Sequence, residues 1–195
     1  IPNNEIALNL LTKLDFPIAA PSANIATKTS ITSINDLDNQ LKNIFYIDGG
    51  SSVLGLESTV VQTTNIGCKI LRLGSLTIEE IKNKFNDYKI ETVDSKLSPG
   101  NQLKHYSPNK AIRINVKNVF VYESLLNFGK NNLKSNIQDL NLSINGNLNE
   151  ASFNFYHFLN ILDKSMCDRI AVAPIPNNGL GKTINDRLKR AAYEE

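Results

Sequence analysis

Residues 91–109 divide this chain into two parts, each with the apolar patterning of a packed unit. The dividing segment contains Ser98-Pro99-Gly100 and Ser107-Pro108 and has little apolar periodicity, which is typical of a connection between folded units. Short apolar runs alternate with amphipathic stretches on both sides of it. The sequence therefore predicts an α/β fold, and its 195 residues are enough to bury a core.

The first part is predicted to contain short helices and strands. Thr77 and Glu80 have the spacing of a capping box, and either Ser33 or Asn35 suits the N-cap of an earlier helix. Helices are predicted at 4–14, 33–41 and 77–85, and strands at 16–20, 44–47, 58–63 and 69–73.

The second part alternates strands and helices, which favours a small parallel sheet. Strands are predicted at 111–116, 119–121 and 170–173, and helices at 148–162 and 182–192. The first of these helices has an apolar side made of Phe155, Phe158, Leu159 and Leu162. Residues 127–149 are polar, and we interpret them as a long surface excursion.

Composition excludes several classes of protein. A net charge of +2 is too small to argue for nucleic-acid binding by itself. Cys68 and Cys167 lie far apart in the sequence, which argues against a disulfide framework or a zinc site and fits a reducing cytoplasm. The sequence contains no apolar run of the roughly 20 residues that span a bilayer, and it shows no signal peptide. It opens on Ile1-Pro2 without a methionine, so we expect a fragment.

Short hydroxyl side chains and one carboxamide are concentrated after the predicted strand at 16–20. Pro21-Ser22-Ala23-Asn24 is followed by four more hydroxyl residues before position 33. A sharp turn here would present backbone N–H groups and short donors together, which suits a phosphate or a carboxylate. The alternative is a turn whose side chains satisfy their own backbone.

Two further segments carry polar groups at strand ends. Glu57 and Ser58 precede an apolar strand, where they could bind a ligand or simply cap the strand. Arg72 stands between two leucines, so it either snorkels from an edge strand or faces a phosphate.

The C-terminal end contains two features with competing interpretations. Gly181-Lys182-Thr183 matches the end of a P-loop, but Pro176 occupies the position of its first glycine, so we interpret the segment as a turn that opens the last helix. That helix is basic, and its charges form either a solvated face or a tRNA contact. His157 is interpreted as a packing or partly exposed side chain, whereas His105 lies beside Tyr106.

Taken together and in order, these motifs resemble the YrdC-type threonylcarbamoyl-AMP synthase family in its two-domain form. Four elements carry the resemblance: Pro-Ser-Ala-Asn with Thr32 eight residues after Asn24, Gly-x-Glu-Ser-Thr-Val at 55–60, Leu-Arg-x-Gly at 71–74, and Ser-Pro-Gly…His-Tyr-x-Pro at 98–108. Gly179 to Ala192 also resembles the end of the second domain. The resemblance implies a partial twisted mixed sheet over 1–93, a linker over 94–109, and a small Rossmann-like parallel α/β domain over 110–195.

The resemblance implies an enzyme that joins L-threonine, bicarbonate and ATP into threonylcarbamoyl-AMP and pyrophosphate. Mg²⁺ would accompany the ATP, and a downstream tRNA-modifying transferase would use the product in the cytoplasm. By position, Ser22 and Ser58 would contact L-threonine. The nucleotide would be held by Asn24, Thr32, Arg72 and Tyr106, with Tyr106 reaching over it from the linker. The resemblance assigns no catalytic residue, and no metal-ligand cluster is visible.

This chain departs from the family pattern at several places. The family's Thr-rich segment and its Lys-x-Arg motif are missing, Ala26-Thr27 replaces a Ser-Gly pair, and Lys104 replaces an arginine. We therefore expect weak or absent activity from the isolated chain. The alternatives are a non-catalytic module that binds tRNA or double-stranded RNA, and an inert remnant that does not fold cooperatively.

Overall fold

Two separate sheets organise the chain, and the computed structural model describes residues 2–41, 43–93 and 105–193. Before the first sheet lie one α-helix, α1 (Glu5–Leu11), and two short 3-10 turns (Ile34–Asp36 and Asn39–Leu41). The first sheet contains β1 (Val60–Thr64), β2 (Gly67–Arg72) and β3 (Lys89–Thr92), with α2 (Ile78–Lys84) between β2 and β3. β1 pairs with β2 in antiparallel fashion and β2 pairs with β3 in parallel, so this sheet is mixed, as predicted.

Local capping signals in this part are confirmed. The Thr77 hydroxyl accepts a hydrogen bond from the Glu80 N–H at 3.2 Å, and the Glu80 carboxylate accepts one from the Thr77 N–H at 2.7 Å. Ser33 caps the first 3-10 turn by accepting from the Asn35 N–H. The single helix predicted over 33–41 is wrong, because the chain forms two separated 3-10 turns there.

Two predicted strands of the first part are wrong. Residues 16–20 and 44–47 form no ladder with any strand in the described part of the chain. Their apolar side chains are exposed: Phe16 is 59% exposed and Phe45 fully so. An apolar run becomes a strand only when a neighbouring strand accepts its backbone hydrogen bonds.

The second sheet is entirely parallel, as the alternating pattern predicts. It contains β4 (Ala111–Arg113), β5 (Glu123–Asn127), β6 (Asp139–Asn141) and β7 (Arg169–Val172), in the order β4-β7-β5-β6. The helices are α3 (Leu148–Asp163) and α4 (Leu180–Ala191). Gly179, with φ of 47°, is the N-cap of α4, so the glycine turn opens the last helix as interpreted.

The strand predicted at 119–121 is wrong, and the chain instead pairs over Glu123–Asn127. Glu123 is fully buried there because Arg113 donates to its carboxylate at 2.9 and 2.6 Å. An ion pair thus lets a charged residue begin a buried strand. The surface excursion predicted over 127–149 is also wrong, since it contains β6 and the buried residues Leu142 and Ser143.

One core joins the second sheet to the end of the first part. Phe155, Leu159 and Leu162 of α3 are fully buried, and Phe158 is partly buried against them. Leu56 and Tyr106, which lie outside the second sheet, belong to the same cluster. The fold therefore places residues 56–57 and 105–107 against α3 and α4.

The described residues contain no helix that is both long enough and apolar enough to cross a membrane.

Candidate functional site

A cavity of about 240 Å³ brings three of the predicted site residues together. Ser22, Asn24 and Thr32 line it from the hydroxyl-rich loop, and Glu57 lines it from the segment before β1. Tyr156 of α3 closes another side. Polar groups predicted from separate sequence motifs therefore share one concave surface.

The loop that carries these residues is held by its own hydrogen bonds. The Asn24 amide donates to the carbonyl oxygens of Ile25 at 3.1 Å and Lys28 at 3.3 Å. Thr27 adopts a positive φ of 67°, and the Ser107 N–H donates to its carbonyl oxygen at 2.9 Å. Asn24 thus hydrogen-bonds to nearby backbone, as in the self-satisfied turn, and it also lines the cavity together with Ser22 and Thr32.

Glu57 connects the cavity to the second unit. Ser30 donates to one carboxylate oxygen at 2.5 Å, and Arg187 of α4 donates to the other at 3.1 Å. Burial raises the pKa of Glu57, but the charge of Arg187 and the Ser30 hydrogen bond outweigh it and lower the pKa below its ordinary value. Glu57 is therefore a carboxylate at neutral pH.

Gly55 allows this segment to approach α3. It has a φ of 69°, and a Cβ at this position would lie 2.1 Å from the carbonyl oxygen of Ser152. Any other residue would push residues 55–57 away from the helix.

Arg72 and Ser58 lie beside each other at the ends of β2 and β1. The guanidinium donates to the Ser58 carbonyl oxygen at 2.8 Å and lies 3.5 Å from its hydroxyl. Arg72 faces a different cavity of about 220 Å³, which Asp186 and Arg190 of α4 also line. The structure therefore brings Ser58 and Arg72 together. Arg72 lines a different cavity from the one that Ser22, Asn24 and Thr32 line.

Tyr106 is almost completely buried, with only 2% of its surface exposed. Its ring lies 4.6 Å from the guanidinium carbon of Arg187 and 6.0 Å from the Tyr156 ring. Burial raises the pKa of the Tyr106 hydroxyl. In this structure Tyr106 belongs to the packed interior beside Glu57 and does not extend over an open cavity.

His105 packs edge-on against Tyr106, with ring centroids 4.0 Å apart. Burial lowers the pKa of His105, and the charges of Arg187, Arg72 and Arg190 lower it further against the opposing effect of Glu57. The imidazole is therefore neutral at physiological pH.

His157 has a partner that the sequence did not reveal. Its Nδ1 lies 3.2 Å from both carboxylate oxygens of Asp36.

The interpretation of the last helix as a solvated basic face is wrong for Arg187, which is completely buried. Lys182 pairs with Glu79, and Arg190 pairs with Asp186. The sequence does contain a signal for this burial. Arg187 follows Ile184 by three residues and precedes Ala191 by four, which places it on the apolar side of the helix.

No group of three or more His, Cys, Asp or Glu side chains in the described ranges could hold a metal ion.

Two family models match the chain. One, described as "Threonylcarbamoyl-AMP synthase, C-terminal domain", covers residues 76–193, and the other, described as "Telomere recombination", covers residues 1–74. The threonylcarbamoyl-AMP synthase of Pyrococcus abyssi is 30% identical over 213 residues, and that of Bacillus subtilis is 27% identical over 215 residues. Each alignment covers 98% of this chain and 62% of the relative.

Solved structures agree with the sequence relatives. The crystal structure of P. abyssi Sua5 complexed with L-threonine superposes with a TM-score of 0.78 at 28% identity, covering 98% of this chain and 62% of that one. A variant of the same protein, with an adjacent histidine and tyrosine changed to alanine, gives a TM-score of 0.70 at 26% identity. It covers 100% of this chain and 61% of that one.

The chain thus spans about three fifths of the length of the relatives it matches. The first family model covers more than half of the chain by itself. The resemblance inferred from the sequence motifs is confirmed, and the chain belongs to the threonylcarbamoyl-AMP synthase family.

Proposed function

We propose that this chain takes part in making threonylcarbamoyl-AMP, pyrophosphate and water from L-threonine, bicarbonate and ATP. The observation that carries the proposal is the cavity shared by Ser22, Asn24, Thr32 and Glu57, in a chain that belongs to the synthase family. Three of these four residues come from the Pro-Ser-Ala-Asn motif and the threonine that follows it.

Ser22 and Ser58 are the residues proposed to contact L-threonine. Both are exposed, and their hydroxyls can donate to a carboxylate or accept from an ammonium group. The relative whose structure was solved with L-threonine supports this substrate. The proposed contacts give L-threonine one partner on the loop and one beside Arg72.

Asn24, Thr32, Arg72 and Tyr106 are proposed to hold the nucleotide. Arg72 supplies the fixed positive charge, which suits phosphate oxygens because its planar fork donates to two of them. Adenylation places negative charge on the departing pyrophosphate, so this cation and the Mg²⁺ carried by ATP would stabilise the transition state. A contact from Tyr106 requires the linker to shift, because the ring is 2% exposed.

The single His-Tyr pair of the sequence, His105-Tyr106, matches the kind of pair altered in the solved variant of the relative. This match supports a functional role for the linker. We propose that the chain consists of part of a catalytic domain at 1–93, a linker at 94–109 and a Rossmann-like domain at 110–195. We also propose a cytoplasmic location, where a tRNA-modifying transferase would use the product, and Cys68 and Cys167 are both unpaired thiols.

We further propose that this chain supplies only part of the active-site wall. It spans 62% of the length of its relatives, and apolar side chains of its first part lie open to solvent. Phe16, Phe45, Ile47, Val53 and Leu54 are each more than half exposed. Such a surface suits contact with a polypeptide equivalent to the unmatched part of the relatives.

Product formation tests the proposal. Purified chain is incubated with L-threonine, radiolabelled bicarbonate and ATP-Mg²⁺, alone and with a separately produced polypeptide equivalent to the unmatched part of the P. abyssi relative. We expect little product from the chain alone and threonylcarbamoyl-AMP from the mixture. Absence of product from a mixture that forms a stable complex would contradict the proposed function, and rapid turnover by the chain alone would contradict the partial wall.

A further inference from the structure

All three nitrogens of the Arg187 guanidinium group donate hydrogen bonds. Its Nε donates to Glu57 at 3.1 Å, one terminal nitrogen donates to Asp186 at 2.5 Å, and the other donates to the Leu73 carbonyl oxygen at 2.6 Å. The face of the group lies against the Tyr106 ring at 4.6 Å. The side chain is completely buried.

These partners come from four different parts of the chain. Glu57 lines the cavity of the candidate site, Leu73 follows β2 immediately after Arg72, and Tyr106 belongs to the described end of the linker. Asp186 lies on α4 beside Arg187. One side chain of the last helix therefore fixes the positions of three segments that carry proposed site residues.

The chemistry of the contact favours arginine over any other residue. A buried charge is costly unless it is paired and hydrogen-bonded. Arg187 forms ion pairs with Glu57 and Asp186 and donates a hydrogen bond from each of its three guanidinium nitrogens. Lysine would keep the positive charge, but it cannot present a planar face to Tyr106 while donating in three fixed directions. Packing alone would be served by an aliphatic side chain, like those of Ile184 and Leu188 on the same face.

We propose that Arg187 is a positioning residue for the synthase site: it holds the Glu57 carboxylate at the cavity and the Tyr106 ring against its own guanidinium group. The last helix of the C-terminal domain thereby becomes a fixed support of the site. This inference rests on the proposed function for its consequence in ligand binding. The set of contacts from Arg187 to Glu57, Leu73 and Tyr106, which we call the clamp, rests only on the geometry.

Two variants of Arg187 separate positioning from charge neutralisation. Arg187→Lys keeps the charge and Arg187→Met removes it, while Lys189→Met removes an exposed charge from the same helix and serves as the control. Tyr106→Leu removes the ring and leaves Arg187 in place, which keeps the test informative if the arginine variants fail to fold. Thermal melting identifies the variants that remain folded.

Two measurements are made on the folded variants of the chain. Hydrogen exchange of the Ser107 amide, which donates to the Thr27 carbonyl oxygen at 2.9 Å, reports whether residues 105–107 keep this contact with the first part of the chain. Titration calorimetry with L-threonine measures the affinity of the chain for this substrate. We expect Arg187→Lys and Tyr106→Leu to accelerate Ser107 exchange at least tenfold and Arg187→Lys to weaken L-threonine binding at least tenfold. Lys189→Met should change neither quantity.

The outcomes distinguish this inference from the proposed function. If Arg187→Lys keeps both Ser107 exchange and L-threonine affinity at the level of the unaltered chain, Arg187 only neutralises charge and the positioning role is wrong. If the unaltered, folded chain binds no L-threonine, its proposed role in binding that substrate fails. The clamp is then judged by Ser107 exchange alone, and unchanged exchange in both Arg187→Lys and Tyr106→Leu would overturn it.

Discussion

The guanidinium of Arg72 donates to the carbonyl oxygen of Ser58 at 2.8 Å and lies 3.5 Å from the serine hydroxyl. Arg72 is the last residue of β2 and pairs with Val60 of β1, and Ser58 lies two residues before Val60. A fixed cation and a hydroxyl are thus presented side by side at one end of the first sheet. This arrangement is suited to a ligand that carries both a phosphate and a small polar group.

Removing the hydroxyls proposed to contact L-threonine should weaken its binding. We expect Ser22→Ala and Ser58→Ala each to raise the Kd for L-threonine, because each loses one hydrogen bond of about 0.5–1.5 kcal/mol. That loss corresponds to roughly a two- to tenfold change in Kd. Titration calorimetry measures it.

The matched control is Ser51→Ala, which removes an exposed hydroxyl from the same part of the chain. Its Kd for L-threonine should equal that of the unaltered chain. If Ser22→Ala and Ser58→Ala change the Kd for L-threonine as little as Ser51→Ala does, L-threonine binds elsewhere.

Acidification should destabilise the fold in two steps. The folded-state pKa values of His105 and Glu57 both lie below their ordinary values of 6.5 and 4.5. The unfolded chain therefore binds protons before the folded chain does, and the stability contributed by each group is lost as pH falls below its ordinary pKa. Thermal melting from pH 8 to about pH 4 should show a first decline below 6.5 and a second below 4.5.

One variant tests whether the first decline in melting temperature comes from His105. His105→Asn removes the titrating group, so its melting temperature should vary less between pH 7 and about pH 5.5 than that of the unaltered chain. A melting temperature that rises on acidification through this range would show that protonation of the half-buried His105 imidazole stabilises the fold, contrary to the structure.

A cavity in the shared core should destabilise the chain as a whole. Leu159→Ala removes a fully buried side chain from the cluster that also contains Leu56 and Tyr106. We expect a loss of roughly 2–5 kcal/mol in the free energy of unfolding. Urea denaturation followed by circular dichroism measures this loss.

The control for this cavity is Met166→Ala, because Met166 is 94% exposed and its truncation should cost almost nothing. A single cooperative transition is expected for the unaltered chain, since one cluster joins both parts. A non-cooperative profile for the unaltered chain would support the inert remnant considered from the sequence.

Local sequence signals were sufficient for the elements whose patterns are themselves local. The apolar side of α3 is visible in the spacing of Phe155, Leu159 and Leu162, and the capping box of α2 is visible in Thr77 and Glu80. Two of the family motifs, Pro-Ser-Ala-Asn with Thr32 and Gly-x-Glu-Ser-Thr-Val, contribute residues to the polar cavity. Each of these motifs consists of residues close together in sequence.

The features that escaped prediction depend on distant partners. Residues 44–47 look like a strand, but the described chain offers them no neighbouring strand. Glu123 and Arg187 look like surface charges, yet Arg113 and Glu57 respectively neutralise them inside the protein. β3 was missed because Lys89–Thr92 is mostly polar and acquires its strand character only by pairing with β2.

Calorimetric titration with ATP-Mg²⁺, in the presence and absence of L-threonine, tests whether Arg72 and its neighbours form a nucleotide site. We predict that the unaltered chain binds ATP-Mg²⁺ and that binding weakens about tenfold or more in Arg72→Ala, because a charge-assisted contact contributes roughly 1.5–3 kcal/mol. Lys82→Ala, which removes an exposed cation from α2, should bind as the unaltered chain does. Absence of binding by the folded chain, or equal affinity in Arg72→Ala, would contradict the claim that Arg72 and its neighbours form a nucleotide site.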